Sequence, residues 1–248
     1  MIDTHAHLDA CVDSPAELLG RARAAGVDRV ITVGSGIDSG RTALAIAAAE
    51  PGVACALGIH PHQAGGEEAG RLDELRELLA QSGAVAVGET GLDFYRDYAP
   101  HDAQRRLFDG QLALASELGL PVVVHTREAE EETASRLGEF GGTVVLHCFS
   151  SPKLLPVALE RGYYVSFAGN ATFLKAVYLR EAAAAVPADR ILSETDCPYL
   201  SPQPVRGRPN EPANVVHTVA ALAAARGETV AALAAQIDEN ARQAFGLA

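Results

Sequence analysis

Six of the eight histidines in this chain lie at or just beyond the ends of short apolar, β-branched runs, where side chains from distant segments can converge. His5 and His7 follow Ile2–Thr4 as H-A-H, and His60 and His62 follow Val53–Leu57 within G-I-H-P-H. His125 closes V-V-V-H and His147 closes T-V-V-L-H. Two further runs end in carboxylates, Glu89 in G-E and Glu194 with Asp196 in S-E-T-D. Imidazole and carboxylate together suit a divalent ion such as Zn²⁺ or Mn²⁺. Side chains alternate along a strand, so His5 and His7 point the same way and can reach one cation. Four histidines and two carboxylates exceed the needs of one tetrahedral site. The set therefore implies two metals, with Glu89 as the bridge between the two histidine groups. Ions about 3.5–4 Å apart can clamp both oxygens of a phosphoryl displacement and generate hydroxide at neutral pH. His60 and His62 have two readings, pocket lining or a rigid turn marked by Pro61. His101 and His217 lie away from run ends and read as structural. Cys148 and Cys197 adjoin candidate ligands but should face the opposite side of a strand, so both read as buried structural cysteines.

These residues need elements that bring them together. Eight candidate strands recur about every 27 residues, room for a strand, a helix and two loops. They are Ile2–Thr4, Arg29–Val33, Val53–Leu57, Ala84–Val87, Val122–Val124, Thr143–Leu146, Tyr164–Phe167 and Arg190–Ser193. Amphipathic stretches with helix punctuation lie between them. Ser14-Pro15-Ala16-Glu17 reads as a capping box, and Gly26, Pro51-Gly52, Gly83, Gly119 and Gly162 read as stops. Further helices are expected over Ser39–Glu50, Leu72–Gln81, Ala103–Leu118, from Ser151-Pro152, and over about Ala213–Ala225 and Thr229–Phe245. Alternating strand and helix predicts α/β architecture with a parallel sheet, and eight units predict a single (β/α)8 TIM barrel over residues 1–248. Its active site belongs at the C-terminal ends of the strands.

Charge narrows the partners. The chain has 32 Asp plus Glu against 20 Lys plus Arg, a formal net charge of −12. That excludes a broad basic footprint on nucleic acid and attraction to an anionic membrane. No apolar run approaches the ~18 residues of a membrane span. The opening MIDTHAHLDA has no basic or apolar leader region, so a cytoplasmic protein without an obligate protein partner is expected. Four separated cysteines form no C-x-x-C pair. Two divalent ions would bring the formal charge from −12 to −8, all of it gained at the barrel mouth. Attraction for phosphate is then local, with weak metal-free DNA affinity and a shallow salt dependence.

The ordered motifs T-H-A-H-L-D, G-I-H-P-H, V-G-E-T-G-L-D-F-Y, V-V-V-H-T-R, L-H-C-F-S, S-E-T-D-C-P-Y-L and R-G-R-P-N-E-P resemble the TatD family of metal-dependent hydrolases. They run from Thr4 to Pro212, nearly the whole chain. Small departures occur at Ser150-Ser151, Ser193 and Thr126, none of which removes a ligand. The resemblance implies a (β/α)8 barrel and a divalent-metal-dependent deoxyribonuclease with 3′→5′ exonuclease activity. It implies metal ligands at His5, His7, Glu89, His125, His147 and Asp196, for Mg, Mn or Zn. On this expectation His5, His7 and Asp196 hold one ion, His125 and His147 the other, and Glu89 bridges. Asp196 acts as local base for the attacking water. His62 and Asp93 are expected in the substrate pocket, Arg206 and Asn210 on phosphate or sugar, and Glu194 orienting a ligand. The only lysines are Lys153 and Lys175, so the bridge is not a carbamylated lysine at strand 4 or 5. Two other readings stay open: an ester or amide hydrolase such as a D-aminoacyl-tRNA deacylase, and a metal-binding protein without turnover.

Overall fold

The computed structural model describes residues 1–247. Eight strands form one parallel sheet whose spatial order follows the chain. They are β1 (Ile2–Ala6), β2 (Arg29–Gly34), β3 (Val53–Leu57), β4 (Ala86–Asp93), β5 (Val122–Arg127), β6 (Val144–Leu146), β7 (Tyr164–Phe167) and β8 (Ile191–Ser193). The seam closes just past β8. Ala6 bridges Cys197 in parallel, the His7 N–H donates to the Cys197 carbonyl at 2.8 Å, and the Asp196 N–H donates to the His5 carbonyl at 2.9 Å. The result is a (β/α)8 barrel, and the bonds that close it run through candidate site residues.

The helices are α1 (Pro15–Ala24), α2 (Ile37–Ala49), α3 (Leu72–Ser82), α4 (His101–Leu118), α5 (Glu130–Leu137), α6 (Leu155–Arg161), α7 (Val177–Ala185), α8 (Val215–Arg226) and α9 (Val230–Phe245). The Ser14–Glu17 capping box opens α1 as expected, with both reciprocal bonds formed. Pro152 opens a short 3-10 turn that runs into α6. Two helices went unread in the sequence. α5 is short, carries three glutamates in its first turn and buries only Thr133 and Leu137, so it has no apolar stripe to detect. α7 is mostly alanine beyond its first turn.

Apolar packing forms two clusters. The larger lies between the sheet and the helices. The smaller takes a residue from every strand: Ile2, Ile31, Val33, Ala56, Ala86, Val123, Val145, Tyr164 and Leu192. A contribution from every strand, two from β2, places this cluster inside the barrel, and Ala241, Ala244 and Phe245 of α9 plug it from below. Among the described residues no single helix is long and apolar enough to cross a membrane, and the Pro212–Arg226 and Val230–Phe245 segments, apolar enough as a pair, meet at 109°.

β4 departs most from expectation, starting at Ala86 rather than Ala84 and running to Asp93 rather than ending before Glu89. Its glycines do not end the strand. Gly88 and Gly91 have φ of +152° and +137°. A Cβ at Gly88 would lie 2.7 Å from Val123, and one at Gly91 would lie 2.0 Å from the His125 carbonyl oxygen. Only glycine lets β4 approach β5 this closely, and the register shifts between Val87 and Thr90. Glu89 sits in that shift.

Candidate metal centre

All strands run one way, so their C-terminal ends open on one face. There a cavity of about 860 Å³ is lined by His7, His60, His62, Glu89, His125, His147 and Asp196, among others. α4 braces two of the loops that build it. Gln111 exchanges hydrogen bonds with the backbone of Ile59 at 2.8 Å each way. Gln104 accepts from the Asp93 N–H at 2.8 Å and donates to the Asp93 and Ala99 carbonyls.

Glu89 is the hub. Its Oε2 lies 3.5 Å from His5 Nε2 and 3.6 Å from His7 Nε2. Its Oε1 lies 2.8 Å from His125 Nδ1, 3.3 Å from His147 Nε2 and 3.4 Å from His60 Nε2. His5 and His7 approach each other at 3.3 Å through Nε2, and Asp196 Oδ1 is 3.5 Å from His7 Nε2 and 4.0 Å from His5 Nε2. Donors about 2.0–2.1 Å from one tetrahedral ion are themselves roughly 3.3–3.4 Å apart. The spacing around Glu89 therefore fits ligands that share a cation, and Glu89 belongs to two groups able to hold a metal, one with His5 and His7 and one with His125 and His60.

The far side of each ring tells which nitrogen is available. The His7 Nδ1–H donates to the Val33 carbonyl at 3.1 Å. His147 Nδ1 faces Glu194 Oε1 at 2.7 Å, and His125 Nε2 faces Asp93 Oδ2 at 3.2 Å. Acceptors hold the proton of these rings outside the cluster, so the other nitrogen turns a lone pair inward. His60 is reversed. Its Nδ1 accepts the His62 N–H at 3.1 Å, so in the neutral ring Nε2 carries hydrogen toward Glu89. Burial lowers His60 to about 4, which keeps it neutral. In that tautomer His60 Nε2 faces Glu89 Oε1 at 3.4 Å with a proton, so it would bind a cation only by giving that proton up. His5 Nδ1 is buried without a partner.

Charges in the cluster are strongly coupled. Burial disfavours the Glu89 carboxylate, yet His147, His60 and the His125 hydrogen bond hold it well below the usual carboxylate range. Burial also disfavours a charged His7, but the Asp196 hydrogen bond and the Glu89 and Asp196 charges raise it to about 9. Against the same burial penalty, the Glu194 and Glu89 charges raise His147, and, again against burial, the His7 hydrogen bond and the nearby histidine charges lower Asp196. His5 is lowered by burial and by His147. The buried carboxylates thus require positive charge nearby, from protons or from cations.

The comparison with known proteins is decisive for the family. The sequence profile of TatD related DNase matches residues 2–246. The chain belongs to the TatD related DNase family. It is 36% identical over 251 residues to the uncharacterized metal-dependent hydrolase YabD of Bacillus subtilis (strain 168), covering 99% of this chain and 98% of that one. It is 39% identical over 241 residues to the 3′-5′ ssDNA/RNA exonuclease TatD of Pantoea ananatis (strain LMG 20103), covering 93% of each. The crystal structure of YJJV, a TatD homolog from Escherichia coli K12, superposes with a TM-score of 0.92 at 30% identity, covering 100% of this chain and 98% of that one.

In this TatD-family chain, His5, His7, Glu89, His125, His147 and Asp196 all meet in the cluster. His62 lines the cavity, and its Nε2 meets Asp93 Oδ2 at 2.8 Å. Asp93 itself is buried behind His62 and His125 and orients both. Asp93 thus has its oxygens occupied and does not line the cavity, against expectation, and two further expected substrate contacts lie elsewhere. Asn210 is buried, and its amide donates to the Thr195 and Tyr199 carbonyls at 2.9 and 2.6 Å while accepting from Glu211 and Asn214. It clamps the loop after β8 and has no group left for substrate. Arg206 is exposed, with its guanidinium 4.0 Å over the Phe173 ring, and it does not line the cavity. Cys148 corrects another expectation. β6 ends at Leu146, Cys148 has φ +45°, and it lines the cavity half-buried. Strand alternation does not extend to a residue beyond the strand. Cys197 is buried, as expected. His101 stacks on Phe94 outside the cluster, with ring centroids 3.9 Å apart. Glu194 holds His147 and also accepts from the Cys148 N–H at 2.7 Å and the Ser166 hydroxyl at 2.6 Å. Sequence reasoning missed Arg96, Tyr98, Arg127, Asn170 and Tyr199, all of which line the cavity. The first two follow Asp93 in D-F-Y-R-D-Y, a run whose polar and aromatic mix on a strand-end loop was the available signal.

Proposed function

We propose that this chain is a divalent-metal-dependent deoxyribonuclease that shortens single-stranded DNA from its 3′ end. One observation carries the reading. Glu89, buried in a barrel mouth, presents one oxygen to His5 and His7 and the other to His125 and His147, at spacings that suit shared cations. The Pantoea ananatis relative, a 3′-5′ ssDNA/RNA exonuclease, supports the substrate class and polarity.

In this reading two ions, Mg, Mn or Zn, would be held by His5, His7 and Asp196 on one side and by His125 and His147 on the other, with Glu89 available to both. When bound, they supply Lewis-acid stabilisation of phosphate charge and lower the pKa of a nearby water. The chain's own residues do the rest. Asp196 remains ionised and receives the proton of the attacking water. Asp93 and Glu194 keep His62, His125 and His147 in the tautomers and orientations described above. Arg96 and Arg127, the cavity's two arginines, meet the nonbridging phosphate oxygens.

The test uses a 5′-labelled single-stranded oligonucleotide with Mg²⁺ or Mn²⁺. A ladder shortening from the 3′ end is expected, abolished by chelator and restored by metal. Turnover of a D-aminoacyl-tRNA with no cleavage of the oligonucleotide would move the assignment to ester hydrolysis.

A further inference from the structure

The barrel mouth carries aromatic rings that the metal centre does not use. The chain has no tryptophan and six tyrosines. Tyr163 and Tyr164 are buried, whereas Tyr98 and Tyr199 line the cavity with 64% and 58% of their surface exposed. They stand beside opposite halves of the cluster. The Tyr98 ring lies edge-on to His62, centroids 4.8 Å apart, next to the Asp93–His125 side. The Tyr199 ring lies edge-on to His7, centroids 6.0 Å apart, next to the Asp196 side. A third exposed ring, Tyr95, is already covered by the Arg127 guanidinium at 3.8 Å.

Both free rings sit on loops pinned by a buried amide. Gln104 donates to the carbonyl of Ala99, next to Tyr98, at 2.9 Å. Asn210 donates to the Tyr199 carbonyl at 2.6 Å, and the Tyr199 N–H donates to the Asp196 carbonyl at 2.9 Å. An aromatic surface that is exposed yet held in place binds without a large ordering penalty. Phosphate contacts are confined to the cavity's two arginines and the proposed cations, so in a chain of net charge −12 the bases are the natural second source of affinity.

We propose that Tyr98 and Tyr199 are stacking platforms for the two bases flanking the scissile phosphodiester, one on each side of the centre. The inference rests on the nuclease reading above and adds how a strand is gripped without regard to sequence, since every base has a π face.

The experiment crosses ring deletion with base deletion. Oligothymidylate, intact or with one abasic nucleotide on either side of the scissile bond, is cleaved by the wild type and by Tyr98→Ala, Tyr199→Ala, Tyr98→Phe and Tyr199→Phe with Mn²⁺. Thermal melting confirms that each variant is folded; Tyr→Leu replaces any alanine variant that melts early. Each alanine variant should raise KM about 5- to 150-fold with a smaller change in kcat, and phenylalanine should restore it. One abasic position should impose the same loss on the wild type as each ring deletion, and combining the two should add nothing further. Unchanged KM in the alanine variants, phenylalanine variants as weak as alanine, or losses that multiply would each overturn the stacking role alone. A wild type inactive on the oligonucleotide and on bis(p-nitrophenyl) phosphate would overturn the nuclease reading and this inference with it.

Discussion

The floor and the mouth of the barrel are built from the same strands and the same face. On β5, Val123 belongs to the floor cluster, and His125, two residues on, belongs to the centre. On β6 the pair is Val145 and His147, and past β8 it is Leu192 and Glu194. The period of two that builds the apolar plug therefore continues upward into charge. Below, Phe245 and the strand residues exclude water and require nothing else. Above, buried carboxylates and imidazoles need partners for every polar atom, and His5 Nδ1 lacks one. The floor is arranged for stability, the mouth for binding at some cost in stability.

Substitutions at the two levels should separate these roles. Glu89→Gln keeps the shape but removes the carboxylate common to both histidine groups. Nuclease activity should fall more than about 10³-fold, beyond the roughly 10–100-fold typical of outer orienting residues. Melting in chelator should fall as well, because His7 and His147 lose the buried carboxylate that favours their charged forms. Initial rates on single-stranded DNA check this, and retention of a tenth of the activity would remove Glu89 from the centre. Phe245→Ala should spare the chemistry. It should destabilise the fold by about 3 kcal/mol, the lower end for a buried phenylalanine because α9 can settle into the gap. Urea unfolding measures this, and kcat of the folded fraction should stay at the wild-type value. A loss of kcat equal to that of Glu89→Gln would show that floor and mouth are not separable.

The same contrast explains what could be read from the chain. Floor positions are apolar runs, so all eight strands were legible, and histidines two residues beyond them inherited a known direction. Glu89 was legible as a residue but not as part of a longer β4, because Gly88 and Gly91 read locally as breakers while the structure uses them for close approach. Beyond strand ends that direction is lost. Asn210 and Arg206 lie in a loop whose composition suits phosphate, yet loop side chains follow no period, and Asn210 turns inward to hold carbonyls. Cys148 fails for the same reason, through a positive φ just past β6. The tautomer pattern around the centre depends on partners such as Val33 O, which no motif marks.

A smaller effect should come from the layer that orients the ligands. Glu194→Gln keeps an acceptor for the Cys148 N–H but loses the charge that faces His147 Nδ1. Activity and metal affinity should fall together by about 10–100-fold. Metal titration followed by calorimetry separates this from a direct catalytic role, which would lower kcat at saturating metal and leave affinity intact.

The smallest effect belongs to charges outside both levels. On the barrel's outer flank, Glu74 at the start of α3 takes hydrogen bonds from Arg71 at 2.9 and 3.0 Å and from Arg41 of α2 at 2.9 Å. The Arg71 hydrogen bonds lead the causes that lower Glu74 to about 2 from an ordinary 4.5, against partial desolvation and with help from Arg41. Because the folded value is depressed, its contribution is fully present above pH 4.5 and is lost as the pH falls toward 2. The group is exposed, so solvent and salt screen most of it. Glu74→Gln should therefore lower the melting temperature at pH 7 by no more than about 2–4 °C, and that difference should vanish near pH 2 and in 1 M NaCl. The buried charges of the mouth are screened far less by salt. A Glu74→Gln difference that survives both acid and salt would mean that exposed and buried charges in this barrel act alike, and would erase the distinction drawn between mouth and flank.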